Sequence, residues 1–253
     1  HGIAAPLLSR SGFRLRSART FAARVNALSS EAAALDDAAL QLRFHSLAGT
    51  LRRHGFQREA TATCFALVRE AADRVLGKRH YDSQLIAGHW LLNGYLAEMA
   101  TGEGKTFAAT LPTCAAALAG LPVHVITVND YLAERDAQAM SPLYAFFGLR
   151  CRAVVHGMER SERREAYAGE ICYVSNKELA FDYLRDRAAL GDQASATHLA
   201  LQALCRPEAG EPRVVLRGLC YAIVDEADSV FIDEARTPLI LSRLAEVEGL
   251  EQT

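Results

Sequence analysis

The sequence predicts an α/β fold: a parallel sheet flanked by helices, preceded by an N-terminal helical segment. Three observations predict it. Short apolar runs alternate with helical stretches from residue 94 onward. One predicted strand-to-helix turn reads Gly-Glu-Gly-Lys-Thr, residues 102–106. A later apolar run ends in Asp225-Glu226. Alternating strands and helices build a parallel sheet, and such sheets gather their functional groups at the carboxyl ends of the strands.

The elements follow in order. Residues 1–20 form a basic tail, with Arg10, Arg14, Arg16 and Arg19 and no acid. Such a tail suits an anionic membrane surface or a partner, or is simply solvated. Residues 21–93 read as helical: Phe56, Ala60, Cys64, Leu67, Ala71 and Val75 recur at three- and four-residue steps, and Gly77 is a plausible stop. A further helix is expected over 83–93. The runs 94–99, 122–128, 150–155, 170–175 and 220–226 read as buried parallel strands, with helices at 104–119, 130–147, 159–168 and 176–189 between them. A helix near 195–205 and then a loop are expected before the last strand.

Composition narrows the class. The chain has 253 residues, half of them apolar, and a net charge of −2, which gives no overall pull toward nucleic acid or membrane. Its six cysteines include no Cys-x-x-Cys pair, which argues against a zinc site and fits reduced thiols in the cytosol. The longest charge-poor stretch, 106–129, is broken by Pro112, Gly120, Pro122 and His124, too early for a spanning helix. The chain opens on His1 and stops without a closing pattern, so a fragment of something longer is expected.

The 102–106 turn has the chemistry of a phosphate cradle. Gly102 and Gly104 let backbone N–H groups converge, and the helix that follows adds positive charge at its start. Lys105 would reach the terminal phosphates, and the Thr106 hydroxyl would hold Mg2+. The general pattern places Gly where Met99 stands. Asp225, at a strand end, can serve Mg2+ through water, and Glu226 can orient or deprotonate the attacking water. Together these features indicate binding of ATP or GTP.

Asp225-Glu226-Ala227-Asp228 points to a RecA-like P-loop NTPase lobe of the superfamily 2 helicase type. That class has a glutamine upstream of the loop that reads adenine. Gln84 stands 18 residues before Gly102, and Tyr81 could border the base. Beyond this, the chain from about Phe21 to Ser242 resembles the SecA family of preprotein translocase ATPases. The stretches "AEMATGEGKT" (97–106), "VITVNDYLAERDA" (125–137), "NKELAFDYLRD" (176–186) and "AIVDEADSVFIDEARTPLIL" (222–241) carry the resemblance.

The resemblance implies an ATP-driven motor that is cytoplasmic and peripheral at the inner face of the plasma membrane. It also implies preprotein clients and a SecY-type channel. It assigns adenine to Gln84, phosphates to Gly102, Glu103, Gly104, Lys105 and Thr106, Mg2+ to Asp225 and Thr106, and catalysis to Glu226. Asp130 and Arg135 would border the nucleotide or brace the loop. Asp182, Arg185 and Asp186 would anchor a helix, and Arg236 would serve a hinge or interlobe contact. On this reading, residues 94–242 are an incomplete nucleotide-binding lobe without its second lobe. Residues 243–253 begin the exit to a preprotein-binding domain. Such a fragment would bind ATP weakly and hydrolyse little. Three departures mark a divergent member: Ala100 where the family has Arg, "SNKELAFDYL" for "TNNEFGFDYL", and a longer 187–219 stretch. The competing readings are a nucleic-acid helicase lobe and a nucleotide-sensing interaction module.

Overall fold

The computed structural model describes residues 4–190 and 214–236, with the side chains of 4–14 left aside. The helix expected near 195–205, and everything from 237 onward, lie outside the described residues. Nine helices and four strands are described: α1 (Ala4–Ala33), α2 (Asp37–Ser46), α3 (Ala48–His54), α4 (Arg58–Leu76), α5 (Asp82–Leu92), α6 (Lys105–Leu118), β1 (Val123–Thr127), α7 (Asp130–Phe146), β2 (Cys151–Val154), α8 (Arg160–Tyr167), β3 (Ile171–Ser175), α9 (Asn176–Leu190) and β4 (Tyr221–Val224).

The strands form one parallel sheet in the order β2-β3-β1-β4. Val123 of β1 pairs with Ile171 of β3 and with Tyr221 of β4, so the strands start level and their carboxyl ends share one edge. The period-two alternation of a strand sorts its side chains between two faces. Ile171 and Tyr173 enter the main core, whereas Cys172 and Val174 enter a smaller cluster with Ala166, Tyr167, Leu179 and Val215. α7 packs on β2 and β3, and α6 meets β1 and β4.

The helical segment shares the main core. Phe21, Val25, Phe44, Phe65 and Leu67 are buried in one cluster with Leu111, Val123 and Tyr173. Arg74 ties the α1–α2 junction onto α4: it donates to the carbonyls of Ala33 and Leu35 and pairs with Asp37 and Glu70. The stretch read as a basic tail is continuous with this layer, because α1 runs unbroken from Ala4 to Ala33.

Local chemistry explains the element ends. Asp36 caps α2 by accepting from the Ala39 amide, and Asn129 caps α7 by accepting from that of Leu132. Gly77 ends α4 at a φ of 63°, the left-handed position that glycine adopts without penalty.

One expected strand differs. No ladder forms at 94–99 among the described residues, and Leu96 is 80% exposed. The chain leaves α5 through a turn at Gly94 and runs irregularly to the loop. Tyr221 of β4 reaches back to the Leu91 carbonyl by its hydroxyl, at 3.2 Å. An apolar run becomes a strand only when a neighbouring strand pairs with its backbone, and among the described residues none does.

Candidate nucleotide site

The glycine loop stands where the sequence places it, immediately before α6. Gly102 and Gly104 have φ of 87° and 77°, so both occupy the left-handed region. Gly104 is the N-cap of α6 and offers no side chain to the first-turn amides. Those amides are the free donors that phosphate oxygens satisfy. A Cβ at Gly102 would meet nothing within 4 Å, so the backbone is open to close approach.

Gln84 links this loop to the segment before α5. Its Oε1 accepts from the Tyr81 amide at 3.0 Å, and its Nε2 donates to the Glu103 carbonyl at 2.8 Å. The residue is only 5% exposed. A Cβ at Gly104 would lie 2.6 Å from Gln84 Nε2, so a larger residue there, already disfavoured by φ, would displace the Gln84 carboxamide from its bond to the Glu103 carbonyl. The two bonds fix which way the carboxamide faces. They leave one amide hydrogen and one lone pair for a ligand. Tyr81 is 73% exposed, and its ring is open to solvent beside them.

Tyr81, Gln84, Gly102, Glu103 and Gly104 line one cavity of about 740 Å3. Its remaining wall, Asp73, Gly77, Lys78, Arg79, Ser83 and Phe107, was not anticipated from sequence. Of these, Lys78, Arg79 and Ser83 could have been suspected, since they flank Tyr81. Phe107 is held by His80, which stacks on its ring at 3.7 Å. His80 Nε2 lies 3.0 Å from both the Phe107 carbonyl and Thr110 Oγ1. Burial pushes the His80 pKa down to about 3, so the ring is neutral. Thus one buried imidazole fastens the 77–84 segment to the first turns of α6.

The acids stand at the carboxyl edge of the sheet. Asp225 donates its amide to the Ile126 carbonyl at 2.8 Å, which extends the β4–β1 ladder by one residue. Its Oδ1 accepts from the Glu226 amide at 3.0 Å. Glu226 has a φ of 52°, a position rare for residues other than glycine and typical of strained functional turns. The following segment is a π-helical turn, Ser229–Asp233, then a 3-10 turn, Glu234–Arg236. Among the described residues no hydrogen bond or ion pair joins Lys105, Thr106, Asp225 and Glu226 to one another, and none of the four lines the 740 Å3 cavity.

Arg135 is clamped by Asp136, with Nε at 2.8 Å and a terminal nitrogen at 2.7 Å from the same oxygen. That bond is the main cause of its raised pKa, and the charge of Asp225 adds to it. Arg135 therefore lies within electrostatic reach of the acidic edge. Asp130 braces that edge: it accepts from the His156 amide and from the Ser175 hydroxyl.

A second polar cluster fixes α8 to α9. Arg163 bonds to Glu178 at 2.6 Å and Asp182 at 2.9 Å, and Asp182 also accepts from Tyr167 and Arg185. Asp186 accepts from the amides of Val215 and Leu216. A cavity of about 820 Å3 adjoins this cluster. It exceeds the first in volume.

Thr106 and Asp225 offer the hard oxygen ligands that Mg2+ takes alongside phosphates and water, and no larger carboxylate cluster is needed. Among the described residues no group of three or more His, Cys, Asp or Glu could hold a metal by itself.

Comparison with known proteins places this geometry in context. Residues 5–252 match the family described as the SecA DEAD-like domain. The chain is 52% identical over 226 residues to protein translocase subunit SecA 2 of Bordetella avium, covering 89% of this chain and 34% of that protein. It is 49% identical to SecA 2 of Nitrosospira multiformis, covering 92% and 35%, and 49% identical to SecA of Granulibacter bethesdensis, covering 88% and 22%. The chain thus spans about a third or less of the curated relatives it matches.

Proposed function

The chain belongs to the SecA DEAD-like domain family, and on that premise we propose that it is the ATP-binding lobe of a protein-translocation motor. The observation that carries the reading is the Gln84 carboxamide, which ties a base-side segment to an uncapped glycine loop at the start of α6. That arrangement offers a purine edge and a polyphosphate their partners in one cavity. The relatives are named as protein translocase subunits, which supports protein translocation as the work done with ATP; preprotein clients and a SecY-type channel are what the resemblance of the sequence motifs implies. This favours the motor over a nucleic-acid helicase lobe.

In this reading the first-turn amides of α6 and Lys105 hold the terminal phosphates. The Thr106 hydroxyl and the Asp225 carboxylate would hold Mg2+, which would supply neutralisation of phosphate charge. Glu226 accepts a proton from the attacking water, and Arg135 steadies the acidic edge through Asp136. No helix among the described residues is long and apolar enough to cross a membrane. The reading assigns membrane association to the basic stretch Arg10–Arg19 at an anionic surface.

Lys105→Ala tests the proposal. One charge-assisted contact contributes about 1.5–3 kcal/mol, so the affinity for ATP falls at least about tenfold. Unchanged affinity with intact circular dichroism contradicts the assignment.

A further inference from the structure

Lys78 is a cation in the wall of the nucleotide cavity to which no role has been given. It follows the left-handed turn at Gly77, and its amide closes that turn on the Ala72 carbonyl. Among the described residues its ammonium has no hydrogen-bond or ion-pair partner. The neighbouring cation, Arg79, is consumed by Glu70 and Asp73, each at 3.0 Å. Neither acid of the cavity wall, Asp73 or Glu103, pairs with Lys78. The residue belongs to the 77–84 segment with Tyr81, Ser83 and Gln84, apart in sequence from the glycine loop.

We propose that Lys78 sets the base preference of this cavity by donating to the six-position oxygen of guanine or hypoxanthine, so that the protein accepts 6-oxopurine nucleotides beside ATP. The inference rests on the nucleotide reading above. Its chemistry follows from the fixed Gln84 carboxamide. The spare lone pair and amide hydrogen of Gln84 match the N6 donor and N7 acceptor of adenine. Guanine puts an acceptor, O6, where adenine has its N6 donor, and O6 against Gln84 Oε1 is repulsive. An ammonium carries three donors and no acceptor, and it supplies what O6 lacks. Adenine gains less from it, because its six-position amino group is itself a donor. Gln84 therefore favours the 6-amino purine and Lys78 the 6-oxo purine, and the selectivity is their difference.

The test is calorimetric titration of the protein with ATP, GTP and ITP, in the parent and in Lys78→Met and Lys78→Ala. ITP carries O6 without the 2-amino group of guanine and isolates the contact. Lys78 is exposed, so neither substitution disturbs the core. The parent is expected to hold all three nucleotides within about tenfold of one another. Both variants are expected to lose about five- to tenfold for GTP and ITP, the scale of one partly exposed charge-assisted bond, and under about twofold for ATP. Equal losses for all three would place Lys78 on the polyphosphate and overturn the proposal, as would no change for any. If the parent binds none of the three, or binds them as tightly after Lys105→Ala, the nucleotide reading itself fails, and this proposal with it.

Discussion

At the residue scale, binding and chemistry should separate. Glu226→Gln keeps the size of the side chain and removes its basicity. In the complete motor it should still bind ATP while steady-state hydrolysis collapses; turnover at the parent rate would remove Glu226 from the reaction. Gln84→Ala removes the link to the Glu103 carbonyl along with the edge proposed to read adenine. Competition binding should show the ratio of ATP to GTP affinity moving toward GTP; an unchanged ratio would deny Gln84 its role. His80 gives a pH signature. Its folded pKa, about 3, lies below the unfolded value of about 6.5, so below pH 6.5 the unfolded chain takes up a proton that the folded one refuses. Stability from this residue is present above pH 6.5 and falls as the pH drops toward 3, by up to about 1.4 kcal/mol per unit. Urea midpoints at pH 7 and pH 5 should therefore differ less for His80→Gln than for the parent, and identical differences would contradict the burial argument. Residues within a local motif were legible in the sequence: Gly102 to Thr106, Asp225 and Glu226 stand in the turn and at the strand end expected of them. His80 was not, because its significance depends on the chain after the Gly77 turn folding it against α6.

At the scale of elements, apolar runs foretold four strands and their parallel pairing, since a strand buried on both faces reads as an unbroken hydrophobic stretch. The same rule misread 94–99. Nothing in Tyr95, Leu96 or Ala97 tells whether a neighbouring backbone will meet them. Asp182 was expected in a helix-anchoring network, and it sits in one. Its partners Arg163 and Tyr167 stand on α8, and only the placing of α8 beside α9 brings them to it. That network should hold α9 in place. Arg163→Leu strands two buried carboxylates and is expected to cost about 3–5 kcal/mol in chemical denaturation; a loss under about 1 kcal/mol would show the pair to be dispensable. Gly104→Ala presses a methyl on Gln84 Nε2 and strains the N-cap of α6. It should weaken nucleotide binding more than Gly55→Ala, whose added Cβ meets nothing at a similar φ and lies away from the cavity. Equal effects would mean that strain alone matters there.

At the scale of the molecule, one core joins the helical layer to the sheet, so the 77–84 segment and the glycine loop are carried by a single packed body. This is what allows a cavity between them to be preorganised rather than assembled by the ligand. A ligand that fills it should also stabilise the whole chain, by about 2.7 kcal/mol at a hundredfold excess over its Kd. The central claim, that this cavity is an ATP site with its base end at 77–84 and its phosphate end at 102–104, where α6 begins, is tested most directly by a crystal structure with Mg2+ and a non-hydrolysable ATP analogue. The account expects the adenine beside Tyr81 and Gln84 and the phosphates on the amides of Gly102 to Thr106. An analogue bound in the cavity beside Arg163 and Asp182, or one whose phosphates leave those amides untouched, would contradict it.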